Sequence, residues 1–590
     1  MIDNTSLSPQ WDIESEYPSL MSVEFQTDLK WCEDKIQQLK KLNVDNQVDF
    51  FLNAFEVKKT LSALITYTHA CQNINTSNNL ARQMENNLQN IFAQLDSLLV
   101  PIESWFKSLS EEDFKKQFIE NEKLLPFKFK ISEHRKLADF HLSDAEEKLL
   151  CIMEIPGHNA WSSLYDQISG TARIETSIEN ETKQYSLSEL GSFLFSDNSL
   201  TRETAWKSIQ MIWQTHENSA AAIINGLADW RLSVNKLRSQ KSQQSLDHLS
   251  YPLHANRINR TVLDTLLEAC KDALPQTQVA YKKMAKTIGK EKLAPWDLNA
   301  GIPKGTQQII SYKNALELIG EALGKVAPEF AAFVKMMDEK KWIEGRVLPE
   351  KNQGGYCTDF IKSRTPRIFM TYRGSLTDVM ILAHELGHAY HSWIMRDMHL
   401  AQISCPMNLA ETASIFFETA VRDQLLENTT SQNEKNQILW NELESAGAFL
   451  INIPARFEFE HQMNLKKREV GLLSAKDLCL INKAAWEKWY GDTLTTMDER
   501  YWASKMHFSM THLFYNFPYT FGYLFSLAIY SRKDVWGKDF LNRYKSLLRD
   551  TGQMTAEELS LKYLDQSLAD KSFWLNAINQ IMSKVAKFEA

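Results

Sequence analysis

The run Ala383-His384-Glu385-Leu386-Gly387-His388 holds the residues best suited to chemistry. On a helix, His384 and His388 lie one turn apart on one face, so both imidazoles can bind one ion. Glu385 then stands about 100° around the helix, beside the ion, where a general base takes a proton from metal-bound water. Random placement of 14 histidines and 74 acidic residues gives roughly 0.04 such matches in the chain. A tetrahedral catalytic zinc needs one more protein ligand. His391 is one candidate, but donors at i, i+4 and i+7 spread over about 10 Å of helix. The next run, Asn408-Leu-Ala-Glu411-Thr-Ala-Ser-Ile-Phe-Phe-Glu418, offers another. There Glu411 and Glu418 share a helix face, seven residues apart. N-x-x-E is also a helix-start pattern, so spacing alone leaves Glu411 open between metal ligand and cap for Asn408.

These residues need rigid elements to hold them. Ser375-Leu-Thr-Asp378 has the form of a capping box, and Val379, Ile381, Leu382 and Leu386 continue an apolar helical pattern. Gly387 costs roughly 1 kcal/mol against alanine inside that helix, which predicts close approach by another backbone or by substrate. Strands are expected at 354–358 and 367–372, separated by the turn-prone Ser363–Pro366, and a hairpin at 171–178 and 184–187 turning at Glu179-Asn180-Glu181. Elsewhere helical spacing dominates: 48–74, 78–108, 142–154, 200–238, 260–287, 312–336, 376–398, 409–427, 434–467, 475–489, 534–549 and 571–588. With only 20 glycines and 15 prolines, long helices are favoured over hairpins. The fold class expected is mainly α. A lobe boundary is set near residue 190, giving 1–190 and 191–590.

No Asp, Glu, Lys or Arg occurs between Lys505 and Arg532. His507, His512, Asn516, Pro518, Thr520 and several tyrosines interrupt this stretch, so it reads as a buried cleft wall and not a membrane span. Pro518 predicts a helix start, with His512 and Tyr515 in the entering loop and Tyr519 and Tyr523 one turn apart on the helix. Tyrosine hydroxyls can donate to the oxyanion formed when water attacks a carbonyl. The net charge of −8, without a long run of one sign, leaves no footprint for nucleic acid or an anionic membrane. Met1–Ser6 lacks the basic and apolar regions of a signal peptide. Seven scattered cysteines with no CxxC pair read as reduced core thiols, and a cytoplasmic location is expected.

His384–Trp393 (HELGHAYHSW), followed by PMNLAETASIFFE at 406–418, resembles the thimet oligopeptidase family of zinc peptidases, and within it the oligoendopeptidase F branch. Trp11-Asp12-Ile13 with Tyr17-Pro18, Gly354–Cys357, Pro366–Val379 and His512–Tyr523 are similar to further segments of that branch. The resemblance implies a two-lobed helical body with a deep substrate channel and a small zincin-like sheet beside the metal helix. It implies one zinc ion per chain on His384, His388 and Glu411, with water in the fourth position and Glu385 as general base. Glu418 would orient a ligating imidazole, and His391 would be a neighbour behind the ligands. Tyr523 and His512 would stabilise the oxyanion, while Gly355, Tyr356 and Tyr519 would line the substrate. The expected function is cleavage of internal bonds in short oligopeptides. A carboxypeptidase or dipeptidyl carboxypeptidase on the same scaffold is the first rival. A non-catalytic zinc-containing peptide-binding protein is the second, and Glu385 argues against it because a structural site needs no base.

Overall fold

A computed structural model describes residues 8–41, 46–302, 309–352 and 354–590; Met1–Ser6 lies outside them. Helices dominate, and most begin with a side-chain cap where the sequence offers Ser, Thr, Asn or Asp. The expected 48–74 is Gln47–Ile74, held at its start by Asn46. The expected 200–238 is Ser199–Ser242, capped by Asn198. Several long patterns are divided. The 260–287 pattern breaks at Ala273, just before Pro275, and the 312–336 pattern breaks at Ala327, just before Pro328. The 434–467 pattern passes through a π-turn, Ala448–Asn452. Val23–Lys41 is a helix with a buried apolar stripe that was not among the expected elements.

The hairpin forms as expected from β1 (Arg173–Ile178) and β2 (Glu181–Ser186). Glu179 and Asn180 both take positive φ, 51° and 68°, which is what a two-residue turn matched to strand twist requires. The second sheet has β3 (Ile343–Glu344), β4 (Tyr356–Phe360) and β5 (Thr365–Phe369), in the order β3-β5-β4. β4 runs antiparallel to β5, with Tyr356 opposite Phe369, while β3 adds in parallel. β4 is therefore an edge strand.

Three apolar cores organise the chain. One joins residues 11–131 with Phe360, Phe369 and Ala401; one joins residues 165–228 with residues 459–508; the largest lies within residues 249–588. β5 is shared between two of them, since Ile368 enters the largest core and Phe369 the first, as strand alternation requires. Trp11 packs against Phe369 with ring centroids 5.6 Å apart. Among the described residues no helix is long and apolar enough to cross a membrane; the uncharged stretch contains the 14-residue helix Phe517–Tyr530. All seven cysteines are free, although Cys151 is exposed and only Cys32 and Cys270 are fully buried.

Candidate metal centre and active site

The helix Leu376–Ile394 starts on a complete capping box: Ser375 Oγ accepts from the Asp378 N–H at 3.0 Å, and Asp378 accepts from the Ser375 N–H. Two and a half turns on, it presents the half-buried His384 and His388. Their Nε2 atoms stand 3.2 and 3.4 Å from Glu411 Oε2. All three candidate ligand atoms lie within 4.8 Å of one another. Burial would depress the His384 pKa, but its contacts with Glu411 and Glu418 outweigh that and hold it well above the usual imidazole value. Burial likewise disfavours the Glu411 carboxylate, and the two imidazoles reverse this, holding its pKa well below the ordinary range.

Glu411 is not on an unbroken helix with Glu418, as the spacing had suggested. Met407–Ala410 is one helical turn, Glu411 sits at its end, and a second helix runs Ser414–Asn428. Pro406 takes the start position, and the side chain of buried Asn408 has no hydrogen-bond partner, so the capping role for Glu411 falls away. Close backbone contact sets the turn. A methyl on Gly387 would strike the Ala413 carbonyl and stand 2.5 Å from Ser414 Cα; one on Gly522 would stand 3.0 Å from Glu411 Cβ. The approach predicted from Gly387 is this one. Gly387→Ala should push away the turn carrying Glu411, cost about 1–3 kcal/mol of stability, and weaken metal binding measurably in chelator competition. Unchanged metal affinity would show that the turn can yield without moving Glu411.

A buried row of charges backs the ligands. Glu418 Oε2 lies 3.1 Å from His384 Nδ1. Arg422 closes on the other Glu418 oxygen and donates to Glu442 at 2.7 Å, with Lys584 of the last helix 3.5 Å from Glu442. Burial would raise the Glu418 pKa, and the Arg422 charge lowers it below the usual carboxylate value. A carboxylate in this place fixes the ring orientation and the tautomer of a ligating histidine. The sequence missed Arg422, although Glu418 and Arg422 are an i, i+4 acid–base pair. His391 belongs elsewhere. Buried at 4% exposure, its Nε2 bonds the Leu548 carbonyl and Thr551 Oγ1 at 3.0 and 2.9 Å. Its place is to tie the metal helix to Phe540–Asp550, not to stand behind the ligands.

On the substrate side, Glu385 is 6% exposed and its Oε2 has no hydrogen-bond partner. Burial raises its pKa above the usual value. Gly355 lies alongside, where an added methyl would stand 3.5 Å from Glu385 Oε1, so the approach to edge strand β4 adjoins the base. The Tyr356 side chain points the other way: it stacks on Phe369 and its hydroxyl accepts from Asn73 at 2.9 Å. The Tyr356 side chain is thus turned from Gly355 and Glu385, because successive strand side chains face opposite sides.

Pro518 lies in the first turn of Phe517–Tyr530, as expected. Tyr519 is half-buried, its hydroxyl 3.5 Å from that of Tyr515, and burial, Tyr515 and Glu411 raise its pKa. Tyr523 does not open onto the site. It is 3% exposed, stacks on Phe449, and its hydroxyl lies against Glu442 outside hydrogen-bonding geometry. Four residues advance about 40° past a full turn, and here that separates an open tyrosine from a buried one. His512 is exposed on the wall of a cavity of about 620 Å³. His507 stacks on Tyr515 at 5.1 Å, and Arg456 donates to Asn516 at 2.9 Å, fixing the start of the helix.

The residues fit a metal ion. Ligand bonds of about 2.0–2.2 Å at tetrahedral angles place ligand atoms roughly 3.3–3.5 Å apart, and the two His–Glu separations are 3.2 and 3.4 Å. Two imidazoles and one carboxylate are also a donor set of catalytic zinc sites, and Glu385 has an unpartnered oxygen beside them.

Comparison with known proteins bears on the fold and the family. The profile of Peptidase family M3 matches residues 192–563, and that of Oligopeptidase F matches residues 105–173. Oligopeptidase PepF of Bacillus subtilis is 23% identical over 550 residues, covering 91% of this chain and 81% of the relative. Among solved structures, a Chlamydophila abortus chain superposes with a TM-score of 0.78 at 19% identity, over 98% of this chain and 97% of the other. Oligoendopeptidase-F from Enterococcus faecium gives 0.72 at 20% identity, over 96% and 98%. With its larger part matched by that profile, the chain belongs to peptidase family M3.

Proposed function

We propose that this peptidase cleaves internal bonds of short oligopeptides, with zinc held by His384, His388 and Glu411 and with Glu385 as general base. The observation that carries the reading is the convergence of three ligand atoms beside a buried, unpartnered carboxylate oxygen, next to the open edge of a sheet. When bound, zinc would polarise the scissile carbonyl and lower the pKa of a water molecule.

The chain's own residues supply the rest. The backbone of β4 from Gly355 onward pairs with an extended substrate, which aligns it by strand addition. Glu385 Oε2 accepts the proton of the attacking water and returns it to the leaving amine. Its burial suits that task, since a raised pKa makes a carboxylate a better base. Glu418, held ionised by Arg422, keeps His384 Nδ1 protonated and Nε2 directed at the ion. Tyr519, half-buried with Glu411 in its electrostatic reach, is the better-supported oxyanion donor; Tyr523 belongs with the charges behind the ligands.

Tyr519→Phe should therefore lower kcat by roughly 10²–10³ with little change in KM. Tyr523→Phe should leave kcat within a few-fold and Tm unchanged or higher, since its buried hydroxyl lacks a hydrogen bond. Steady-state kinetics and thermal unfolding of the two variants check this, and the reverse pattern returns the oxyanion role to Tyr523. The function itself is tested by mass spectrometry of fragments from a mixed peptide library, with and without a chelator. Chelator-sensitive cuts with several residues on both sides are expected. Release of only one or two C-terminal residues would replace this reading with a carboxypeptidase.

A further inference from the structure

The cavity on which His512 lies is an open cleft lined by the long helix Ser199–Ser242, the π-turn Ile155–Asn159, the segment around His248–Asn256 and the loop leading to Pro518. Its wall also includes Met407, four residues before Glu411, and Tyr515, whose hydroxyl meets that of Tyr519. Met407 and Tyr515 thus link this wall to the turn that ends at Glu411 and to Tyr519.

Arg231 stands in this wall with no carboxylate within 4.0 Å among the described residues. Three other arginines close on carboxylates, Arg202 on Asp297 at 2.7 Å, Arg238 on Glu147 at 2.6 Å and Arg422 on Glu442 at 2.7 Å, whereas Arg456 donates to Asn516 at 2.9 Å. Arg231 donates one hydrogen bond, from Nη2 to the Met510 carbonyl at 2.6 Å, and its buried Nε has no partner among the described residues. Glu460, the acid in its electrostatic reach, accepts the Phe514 N–H at 2.9 Å, and burial pushes its carboxyl up to about 7. Guanidinium groups removed from water are normally paired, because an uncompensated buried charge is costly. Two nearly buried histidines, His158 and His248, share the wall with unpartnered ring nitrogens. Trp230 stacks on His158, and Tyr251 and Phe514 add apolar surface. Glu154, the one carboxylate on the wall among the described residues, is half-exposed and 3.6 Å from His158 Nδ1, so it can turn to water.

We propose that this cavity is a carboxylate-binding subsite of the substrate cleft, anchored by Arg231 and lined by aromatic rings that take the neighbouring side chain. The inference rests on the peptidase reading of the adjoining site. The carboxylate is either the C-terminus of the peptide or an Asp or Glu side chain.

The test uses the full chain, zinc-loaded, carrying Glu385→Gln, with and without Arg231→Met. Binding of fluorescent nonapeptides is read by anisotropy, comparing free acid with C-terminal amide, and Glu with Gln at each position. One of these pairs should show a preference of roughly 10- to 100-fold for the charged form. That preference should fall to near one in Arg231→Met and recover in part in Arg231→Lys, while neutral peptides bind within two-fold throughout. The pair that responds identifies the source of the carboxylate. Ratios unaffected by Arg231, or equal weakening of charged and neutral peptides, would overturn the proposal. Binding is scored without turnover, so a wild-type protein that cleaved nothing would remove the peptidase reading and leave this result standing.

Discussion

Replacing Glu385 with glutamine is expected to leave zinc bound at close to one equivalent while lowering kcat by roughly 10²–10⁴, the range for loss of a general acid–base group. The amide is nearly isosteric and sits in the same buried place beside Gly355, so packing and the three ligands should be undisturbed. It cannot accept the proton from water, however, and cannot return it to the amine. Metal analysis and steady-state kinetics on one preparation read both quantities. Substantial turnover with full zinc would assign the base to another residue.

The second large effect separates a ligand from a neighbour. Glu411→Ala removes the atom that stands 3.2 and 3.4 Å from the two imidazoles. Zinc affinity should fall by more than the roughly 10- to 100-fold typical of an outer partner, and activity should fall with it. His391→Ala should keep the metal. Its cost is to stability, about 1–3 kcal/mol, because Leu548 and Thr551 lose a buried partner. Chelator competition and thermal unfolding distinguish the two. Zinc lost from the His391 variant and kept by the Glu411 variant would reverse the ligand assignment.

The metal helix was readable because each of its signals is local: a capping box, a 3.6-residue apolar pattern and two histidines one turn apart. The hairpin was readable because Glu179-Asn180 is short and flanked by alternating residues. The turn at Glu411–Ala413 was not, since no glycine or proline marks it within the run. Its shape comes from Gly387 and Gly522, more than 20 and 100 residues away in sequence, which admit backbones no other residue would. Spacing puts Tyr519 and Tyr523 on one face without giving its width, and the oxyanion role expected of Tyr523 could not be checked there; packing against Phe449 and Glu442 divides the two. β3 is two residues long, too short for any pattern. Arg231 carries no motif at all. Its significance lies in what fails to reach it, which depends on distances between helices and is invisible in a string of residues.

The charges behind His384 also dictate an order of assembly. Glu418, Arg422, Glu442 and Lys584 form one connected set, and His384 and Lys584 are about 200 positions apart in the chain. Local helices form early, whereas contacts of such separation must wait for the loop between them to close. The His384–His388 helix and Glu418, Arg422 and Glu442 can thus come together before Lys584 docks, with Glu442 then lacking one of its two cations. A chain still emerging during synthesis, or one opened locally at its C-terminal helix, carries that charge set incomplete. On the proposed reading, the last helix is therefore the final piece of the site's backing to arrive.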